Sequence, residues 1–308
     1  MDDQFEDDTF AKPVNASDID DEVAKICSLD TKSDWRSGGE LDLPPKKWRP
    51  SALSADGSRL LYVCIQSEFP QFVIDRLRLA KERTLGVTLG LTIASLYSLP
   101  TLKVLAEVDA DVMVLDDYDE KRRYEPRHFL AAIADIGAPV APKVRQLIGR
   151  KSWMTIHDGT NFEKGRRLES LLAFLFSQVR DLKVVERNFR SETEEIDLVL
   201  QIDNFSSRAW QASGVPFILV EAKNRQDKAS QQMVSVLIAK LQTKRGSAKI
   251  GFLISLAGFT KDAEMQELRF STQEICIVMI DGASIESLLC AEDLDESLEA
   301  LVRHALLR

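Results

Sequence analysis

The fold is predicted by two apolar stretches, Glu195-Ile196-Asp197-Leu198-Val199-Leu200 and Phe217-Ile218-Leu219-Val220-Glu221-Ala222-Lys223. Both are rich in aliphatic and β-branched residues, which favour strands. Alternate side chains of a strand share a face, so Glu221 and Lys223 point the same way. If the two strands are neighbours, Asp197 lies beside Glu221, and two carboxylates and an ammonium converge. Magnesium prefers oxygen ligands, so this pattern predicts a divalent-metal site for phosphodiester hydrolysis.

The composition is that of a soluble globular protein with room for two domains. The chain has 308 residues, of which 44% are hydrophobic and 29% are charged. Its formal net charge is -9, and the thirteen acidic and four basic residues of segment 1–42 account for all of it. The remainder is balanced, so the acidic total does not exclude a nucleic-acid substrate.

The chain is predicted to hold three parts. Residues 1–57 form an acidic, disordered tail and linker, because the segment is poor in aromatic residues. Residues 58–150 form a smaller α/β domain that senses, regulates or binds a partner, and residues 151–308 form the domain that carries the quoted strands. The alternatives for the tail are a solvating extension and a nucleic-acid mimic that shields a basic groove or docks a partner.

Strands and helices alternate in the smaller domain, which predicts a parallel sheet. The predicted elements are strand Leu60–Gln66, helix Phe69–Glu82, strand Leu85–Ile93, helix Leu96–Val108 and strand Val112–Leu115. Asp116 and Asp117 follow the last strand, where α/β sheets bind ligands. The alternative is that they are loop acids or a helix cap. No glycine-rich phosphate loop accompanies these strands.

The larger domain is predicted as a helix, three strands, and further strands separated by helices. The elements, in order, are helix Glu163–Val179, strands Val184–Phe189, Ile196–Ile202 and Phe217–Ala222, helix Ser230–Lys244, strand Ile250–Leu256, helix Lys261–Phe270, strand Ile275–Ile280, and helices Ala283–Leu289 and Ala291–Leu307. This order predicts an α/β fold with a sheet flanked by helices.

Several motifs of this domain resemble the PD-(D/E)xK nuclease superfamily, in its Mrr-type restriction endonuclease branch. They are Gly165-Arg166-Arg167-Leu168-Glu169, Glu195-Ile196-Asp197-Leu198-Val199, Leu219-Val220-Glu221-Ala222-Lys223-Asn224, Gly251-Phe252-Leu253-Ile254-Ser255 and Gly258-Phe259-Thr260-Lys261-Asp262-Ala263. The resemblance covers about residues 155–285. It implies a restriction-endonuclease-like mixed sheet, a metal-dependent endonuclease activity on DNA, and a role in bacterial defence against foreign DNA.

Four residues are the candidate catalytic set. Asp197 and Glu221 would ligate Mg²⁺, with Mn²⁺ as an alternative, and Lys223 would hold the attacking water or neutralise transition-state charge. Glu169 would reach the same site from the polar edge of its helix; otherwise it is an exposed acid paired with a neighbouring arginine. The resemblance also implies a glutamine on the following helix that orients water, and the candidates are Gln231, Gln232 and Gln242.

Two basic clusters flank these motifs and predict contact with DNA phosphates. The first lies within residues 143–190, and the second consists of Lys240, Lys244, Arg245 and Lys249. The alternative is that both are solvated faces. The insert at residues 203–215, with Arg208 and Trp210, either touches DNA or is a packed surface loop.

Three further expectations concern context. The first residues lack the parts of a signal peptide, no apolar run could span a bilayer, and the four cysteines are widely spaced, so we expect a cytoplasmic protein. A homodimer is a hypothesis. The competing functions are a DNA-binding protein that no longer cuts, an effector whose N-terminal domain binds a ligand or partner protein and gates the nuclease, and an RNA-cleaving enzyme.

Overall fold

The computed structural model describes residues 19–29, 34–44, 46–66, 69–190, 195–204, 210, 214–269 and 274–307. The chain divides into two compact units, Met1–Ala132 and Ile133–Arg308. This division lies before the boundary expected at residue 150, so the helix Pro142–Met154 belongs to the second unit.

The first unit is built on a six-stranded sheet with the order β1-β4-β5-β6-β7-β8. Its strands are β1 (Trp35–Ser37), β2 (Leu41–Leu43), β3 (Lys46–Trp48), β4 (Ala52–Ser54), β5 (Arg59–Cys64), β6 (Gly86–Leu91), β7 (Asp111–Val114) and β8 (Arg127–His128). Its helices are α1 (Ile19–Leu29), α2 (Gln71–Glu82), α3 (Ile93–Leu96), α4 (Leu99–Val108), α5 (Glu120–Arg123) and the start of α6 (Phe129–Ile136). The strands β2 and β3 pair with each other.

The expected parallel sheet is only the centre of this unit. β5, β6 and β7 are parallel, as the strand–helix alternation predicts. β1, β4 and β8 add antiparallel pairs at the two sides, so the sheet is mixed. These three strands are two or three residues long, and their pairing depends on contacts outside each strand, which local patterns do not reveal.

The prediction of a disordered tail is wrong for the described part of residues 1–57. α1 buries Val23 and Ile26 in one cluster with Trp35 and Ala52, and β1 to β4 follow it. The two apolar residues stand three positions apart, which places them on one side of the helix, and the acids Asp20 and Asp21 precede them in its first turn. Residues 1–18, 30–33 and 45 lie outside the described residues.

The second unit contains a five-stranded sheet with the order β13-β12-β11-β10-β9. The strands are β9 (Leu182–Arg190), β10 (Glu195–Ile202), β11 (Phe217–Lys223), β12 (Ala248–Ser255) and β13 (Cys276–Asp281). The helices are α7 (Pro142–Met154), α8 (Asn161–Ser177), α9 (Gln231–Gln242), α10 (Lys261–Arg269), α11 (Gly282–Cys290) and α12 (Leu294–Leu306). β9, β10 and β11 are antiparallel, and β11, β12 and β13 are parallel. The mixed sheet flanked by helices is confirmed.

Helices α8 and α9 cover opposite faces of this sheet. Phe176 of α8 packs on Phe252 of β12, with ring centroids 5.5 Å apart. The preceding residue, Gly251, points to the other face, where a Cβ atom would lie 3.0 Å from the side chains of Leu237 and Leu241 of α9. The glycine therefore permits the close approach of α9 that positions the site described below.

Among the helices of the described ranges, none has the length and apolar character needed to cross a membrane.

Candidate active site

The pairing of β10 and β11 brings Asp197 and Glu221 together. These strands are antiparallel, with Leu198 opposite Val220, and the next step along each strand places Asp197 across from Glu221. The Oδ2 atom of Asp197 accepts a hydrogen bond of 2.7 Å from the backbone amide of Ala222. This bond holds the Asp197 carboxylate at the end of the β10–β11 pairing, beside Glu221.

Lys223 faces both acids. Its Nζ atom lies 3.6 Å from Asp197 Oδ2 and 3.5 Å from Glu221 Oε2. Lys223 and Glu221 share a strand face because they are two residues apart, and the ammonium is half-buried. The structure therefore gathers two carboxylates and one ammonium at one spot.

Helix α8 brings Glu169 to the same region. The helix starts at a capping box, in which Thr160 and Glu163 satisfy each other's backbone amides, and it packs against β9, β10 and β11. Burial raises the pKa of Glu169, and the nearby charge of Asp197 raises it further. Its carboxylate is half-buried and coupled to the strand acids, whereas Arg167 donates to the carbonyl of Asp158.

Asn188 of β9 holds Glu169, and sequence reasoning missed it. Its side chain hydrogen-bonds the Glu169 carboxylate and so opposes the rise in pKa. The β9–β10 register places Asn188 between the pairs Phe189–Ile196 and Arg187–Leu198, opposite Asp197. Its backbone φ is 52°, a left-handed conformation that asparagine tolerates better than most residues. The sequence signal that could have revealed Asn188 is the presence of an asparagine within a predicted strand, where this residue type is uncommon.

Asn224 joins the end of β11 to the loop that precedes α8. Its Nδ2 atom donates to the carbonyls of Ile156 and Lys164 at 2.7 and 3.1 Å. The Oδ1 atom lies 3.1 Å from Nδ1 of His157. This side chain follows Lys223 directly, so it ties the start of α8 to the strand that carries the catalytic candidates.

None of the three candidate glutamines lines the cavity beside the acids. Gln231 donates to Gln266 at 2.9 Å, and Gln232 and Gln242 are exposed. The side of α9 that lines this cavity consists of Val236, Ala239, Lys240 and Thr243. The expected water-orienting glutamine is therefore not where the resemblance implied it.

Lys240 is the residue of α9 that reaches the acids. Its ammonium contacts Glu221 Oε1 and donates to the backbone carbonyl of Glu195. Only 13% of the side chain is exposed. The sequence assigned Lys240 to a basic cluster for DNA, because the packing that turns it inward depends on α9 crossing the sheet.

The cavity formed by these residues has a volume of about 530 Å³ and is lined by Asp197, Glu221, Lys223, Lys240 and their neighbours. Burial raises the pKa of Glu221, the charge of Asp197 adds to this, and Lys240 opposes it. Carboxylates that destabilise one another's charge are relieved by a bound cation.

The donor chemistry fits a hard divalent cation. Within the described part of the chain, no three His, Cys, Asp or Glu side chains form a complete ligand set. Magnesium does not need one, since it is usually bound by one or two carboxylates with waters and substrate phosphates. Asp197 and Glu221 supply those two carboxylates.

Several other predicted features have structural roles. Asp116 accepts from the amide of Ile93 at 2.6 Å, and Asp117 forms a buried ion pair with Arg127, so the cap and loop interpretation applies to this pair. Trp210 is fully buried, which agrees with the packed-loop alternative for the insert. Arg208 lies outside the described residues.

The first basic cluster, within residues 143–190, contains both side chains that are held inside the fold and side chains that are exposed. Arg145 is buried and donates to the carbonyl of Ala291, and Arg187 pairs with Asp135 at 2.7 Å. By contrast, Arg166 of α8 is exposed, close in sequence to Glu169. Only part of this cluster is therefore available as a DNA-facing surface.

Comparison with known families matches residues 162–289 to a restriction endonuclease family model of the Mrr catalytic type. The match includes all four candidate catalytic residues and confirms the resemblance for this domain. The second unit thus carries a restriction endonuclease-like nuclease domain, of a kind that typically uses divalent metals. No curated protein and no solved structure matches the chain.

Proposed function

We propose that this chain is a Mg²⁺-dependent endonuclease that hydrolyses DNA phosphodiester bonds in bacterial defence against foreign DNA, and that it acts in the cytoplasm. The observation that carries the proposal is the convergence of Asp197, Glu221 and Lys223 on one cavity. That cavity lies inside the segment matched to restriction endonucleases. Mn²⁺ is the alternative ion.

Each residue has a role that follows from its position. Asp197 and Glu221 would hold the ion, and the hydrogen bond from Ala222 fixes the orientation of Asp197. When bound, the ion lowers the pKa of a coordinated water and offsets charge on the phosphate. Lys223 would hold the attacking water or neutralise the charge that develops on the phosphoryl oxygens. Glu169, steadied by Asn188, would complete the acidic side of the site.

Binding to DNA would use the cations at the start of α8. Lys164, Arg166 and Arg167 lie within two turns of Glu169, so they would contact phosphates next to the scissile one. Such contacts are sequence-independent and weaken as the salt concentration rises. We therefore propose phosphate-backbone binding at this edge without assigning a recognition sequence.

Plasmid cleavage by the full chain tests the proposal. Supercoiled and linear DNA would be incubated with Mg²⁺, Mn²⁺ or EDTA, using wild type, Glu221→Gln and Asp197→Asn. Both variants keep the side-chain shape and remove a charge, and the exposed Glu264→Gln is the matched control. We expect metal-dependent cutting by wild type and the control, and loss of about a thousandfold or more in the site variants. Cutting that persists in EDTA and in Glu221→Gln would refute the mechanism.

A gated nuclease is the second candidate, and one observation favours it. The unit Met1–Ala132 is a separate compact body that the family match does not cover. In this version that unit binds a ligand or partner protein and releases the activity of the second unit. Wild type that binds metal and DNA but does not cut alone would favour this proposal over constitutive cleavage.

Two properties of the proposed enzyme need separate assays. RNA of the same length, offered beside the DNA, decides the substrate class. A homodimer would allow both strands to be cut by one assembly; light scattering that finds only monomer, with and without DNA, would exclude it.

A further inference from the structure

We infer that Lys240 is a fixed second cation of the active site, and that the site therefore takes one divalent ion rather than two. The inference deepens the proposed function, since it rests on the acids being metal ligands. It concerns a residue that lies outside the Asp197, Glu221 and Lys223 set.

The position of Lys240 is the first argument. Its ammonium contacts Glu221 Oε1 and the carbonyl of Glu195, and it lines the same cavity as the acids. The flanking residues Leu237, Ile238 and Leu241 are buried against the sheet. Because these contacts hold α9 in place, the ammonium stays in the site without a large ordering cost when DNA binds.

Both oxygens of Glu221 already face a cation. Oε1 contacts Lys240, and Oε2 lies 3.5 Å from Lys223. A metal ion that binds Glu221 must share this carboxylate with an ammonium. In Asp197, by contrast, the Ala222 amide donates to Oδ2 and not to Oδ1. One ion between Asp197 and Glu221 can be accommodated in this way, but a second ion on Glu221 would meet Lys240.

The balance of charge gives the same result. When ionised, Glu169, Asp197 and Glu221 carry three negative charges, against two positive charges on Lys223 and Lys240. The carboxylate of Glu195, which also lines the cavity, is balanced by Arg190 at 2.8 Å. One divalent ion turns the excess of one negative charge into one positive charge, which a single scissile phosphate balances. A second ion would leave a large positive excess in a half-buried cavity, where repulsion between like charges is strong.

A purely structural ion pair between Lys240 and Glu221 predicts something different. In that case, removing the ammonium would destabilise the fold and would leave metal binding unchanged or weaker, because Glu221 would lose its orientation. If Lys240 is a competing cation, its removal strengthens metal binding. Metal affinity therefore separates the two interpretations, which stability alone does not.

The test is calorimetric titration of the full chain with Mn²⁺ in the absence of DNA. The variants are Lys240→Gln, the charge-conserving Lys240→Arg and the control Lys244→Gln. The control removes the same charge four residues further along the chain, where the Lys244 ammonium lies 5.6 Å from the centre of the Phe189 ring. We expect one ion per chain in wild type. Lys240→Gln should bind Mn²⁺ at least about tenfold more tightly or take a second ion, and the two other variants should resemble wild type.

Four outcomes would overturn the inference or its premise. Wild-type binding of two ions overturns the single-ion site, and Lys240→Gln that binds a single ion no more tightly than wild type overturns the role of Lys240. Lys244→Gln that matches Lys240→Gln reduces the effect to net charge. No Mn²⁺ binding by any folded chain, together with no metal-dependent cleavage of plasmid, refutes the proposed function itself. Lys240→Met, which keeps the length of the side chain, replaces the glutamine variant if circular dichroism shows that the latter does not fold.

Discussion

Replacing Asn224 by alanine should release the loop before α8 from the end of β11. The variant loses two hydrogen bonds, of 2.7 and 3.1 Å, to the carbonyls of Ile156 and Lys164. A hydrogen bond contributes a net stabilisation of about 1 kcal/mol, so the two together contribute about 2 kcal/mol. Asn224 is half-buried, but Ile156 is buried, so the loss should be at least this large, because a buried carbonyl left without a donor adds to it.

Hydrogen exchange measured by mass spectrometry can localise this effect. A free-energy loss of about 2 kcal/mol corresponds to about 30-fold faster exchange where local opening limits it. The acceleration should appear in the peptides that cover residues 155–164, which include the amide of Asp158 bonded to the Thr155 carbonyl. Exposed Asn161, which begins α8, provides the control as Asn161→Ala.

The same variant should separate positioning from metal binding. Asp197 and Glu221 do not depend on Asn224 for their contacts, so Mn²⁺ affinity should stay near wild type while the cleavage rate falls. The reasoning is refuted if exchange in residues 155–164 is unchanged. It is also refuted if the acceleration spreads evenly over both compact units, since that would mean a general loss of stability.

Three further predictions concern stability and reactivity. Burial raises the pKa of Glu169, so the folded chain binds this proton more readily than the unfolded chain, and stability falls as pH rises through the raised pKa. In EDTA, the melting temperature of Glu169→Gln should therefore rise relative to that of wild type as the pH increases, and a difference that stays constant with pH would contradict this. Gly251→Ala should cost about 1–3 kcal/mol by overpacking against α9, measured by denaturant titration, and Leu237→Val in the same chain should restore part of the loss. Burial raises the pKa of Cys276 to about 12, so a thiol reagent at about pH 8 should label this cysteine only in denaturant. Half-buried Cys290 should react in the native protein, and rapid labelling of native Cys276 would disprove its burial.

The strands of the second unit were predictable because their signal is local. The sequence predicts Phe217–Ala222 and the structure has Phe217–Lys223, since a continuous apolar run with acid at its end marks both the strand and its limit. The sequence placed Asp197 beside Glu221 only on the condition that these two strands are neighbours, and the structure shows that they pair. The family match then supported the order of the motifs.

The parts that escaped prediction depend on contacts distant in sequence or on backbone conformation. α1 was hidden because the acidic composition of its segment outweighed two apolar residues. Asn188 acts through a left-handed φ of 52° and its place opposite Asp197, neither of which a residue pattern records. Lys240 was assigned to a basic cluster because only the packing of α9 on Gly251 shows which way it points.

The bond between the Ala222 amide and Asp197 Oδ2 has a spectroscopic consequence. The backbone ladder of β10 and β11 is regular as far as Leu198 and Val220, and beyond it a side-chain oxygen accepts from the next strand. A cation that draws electron density from this carboxylate must change the shielding of the amide proton and nitrogen of Ala222. The nuclear magnetic resonance signal of one backbone amide thus gives the chain an intrinsic gauge of metal occupancy, which needs neither a label nor a substrate.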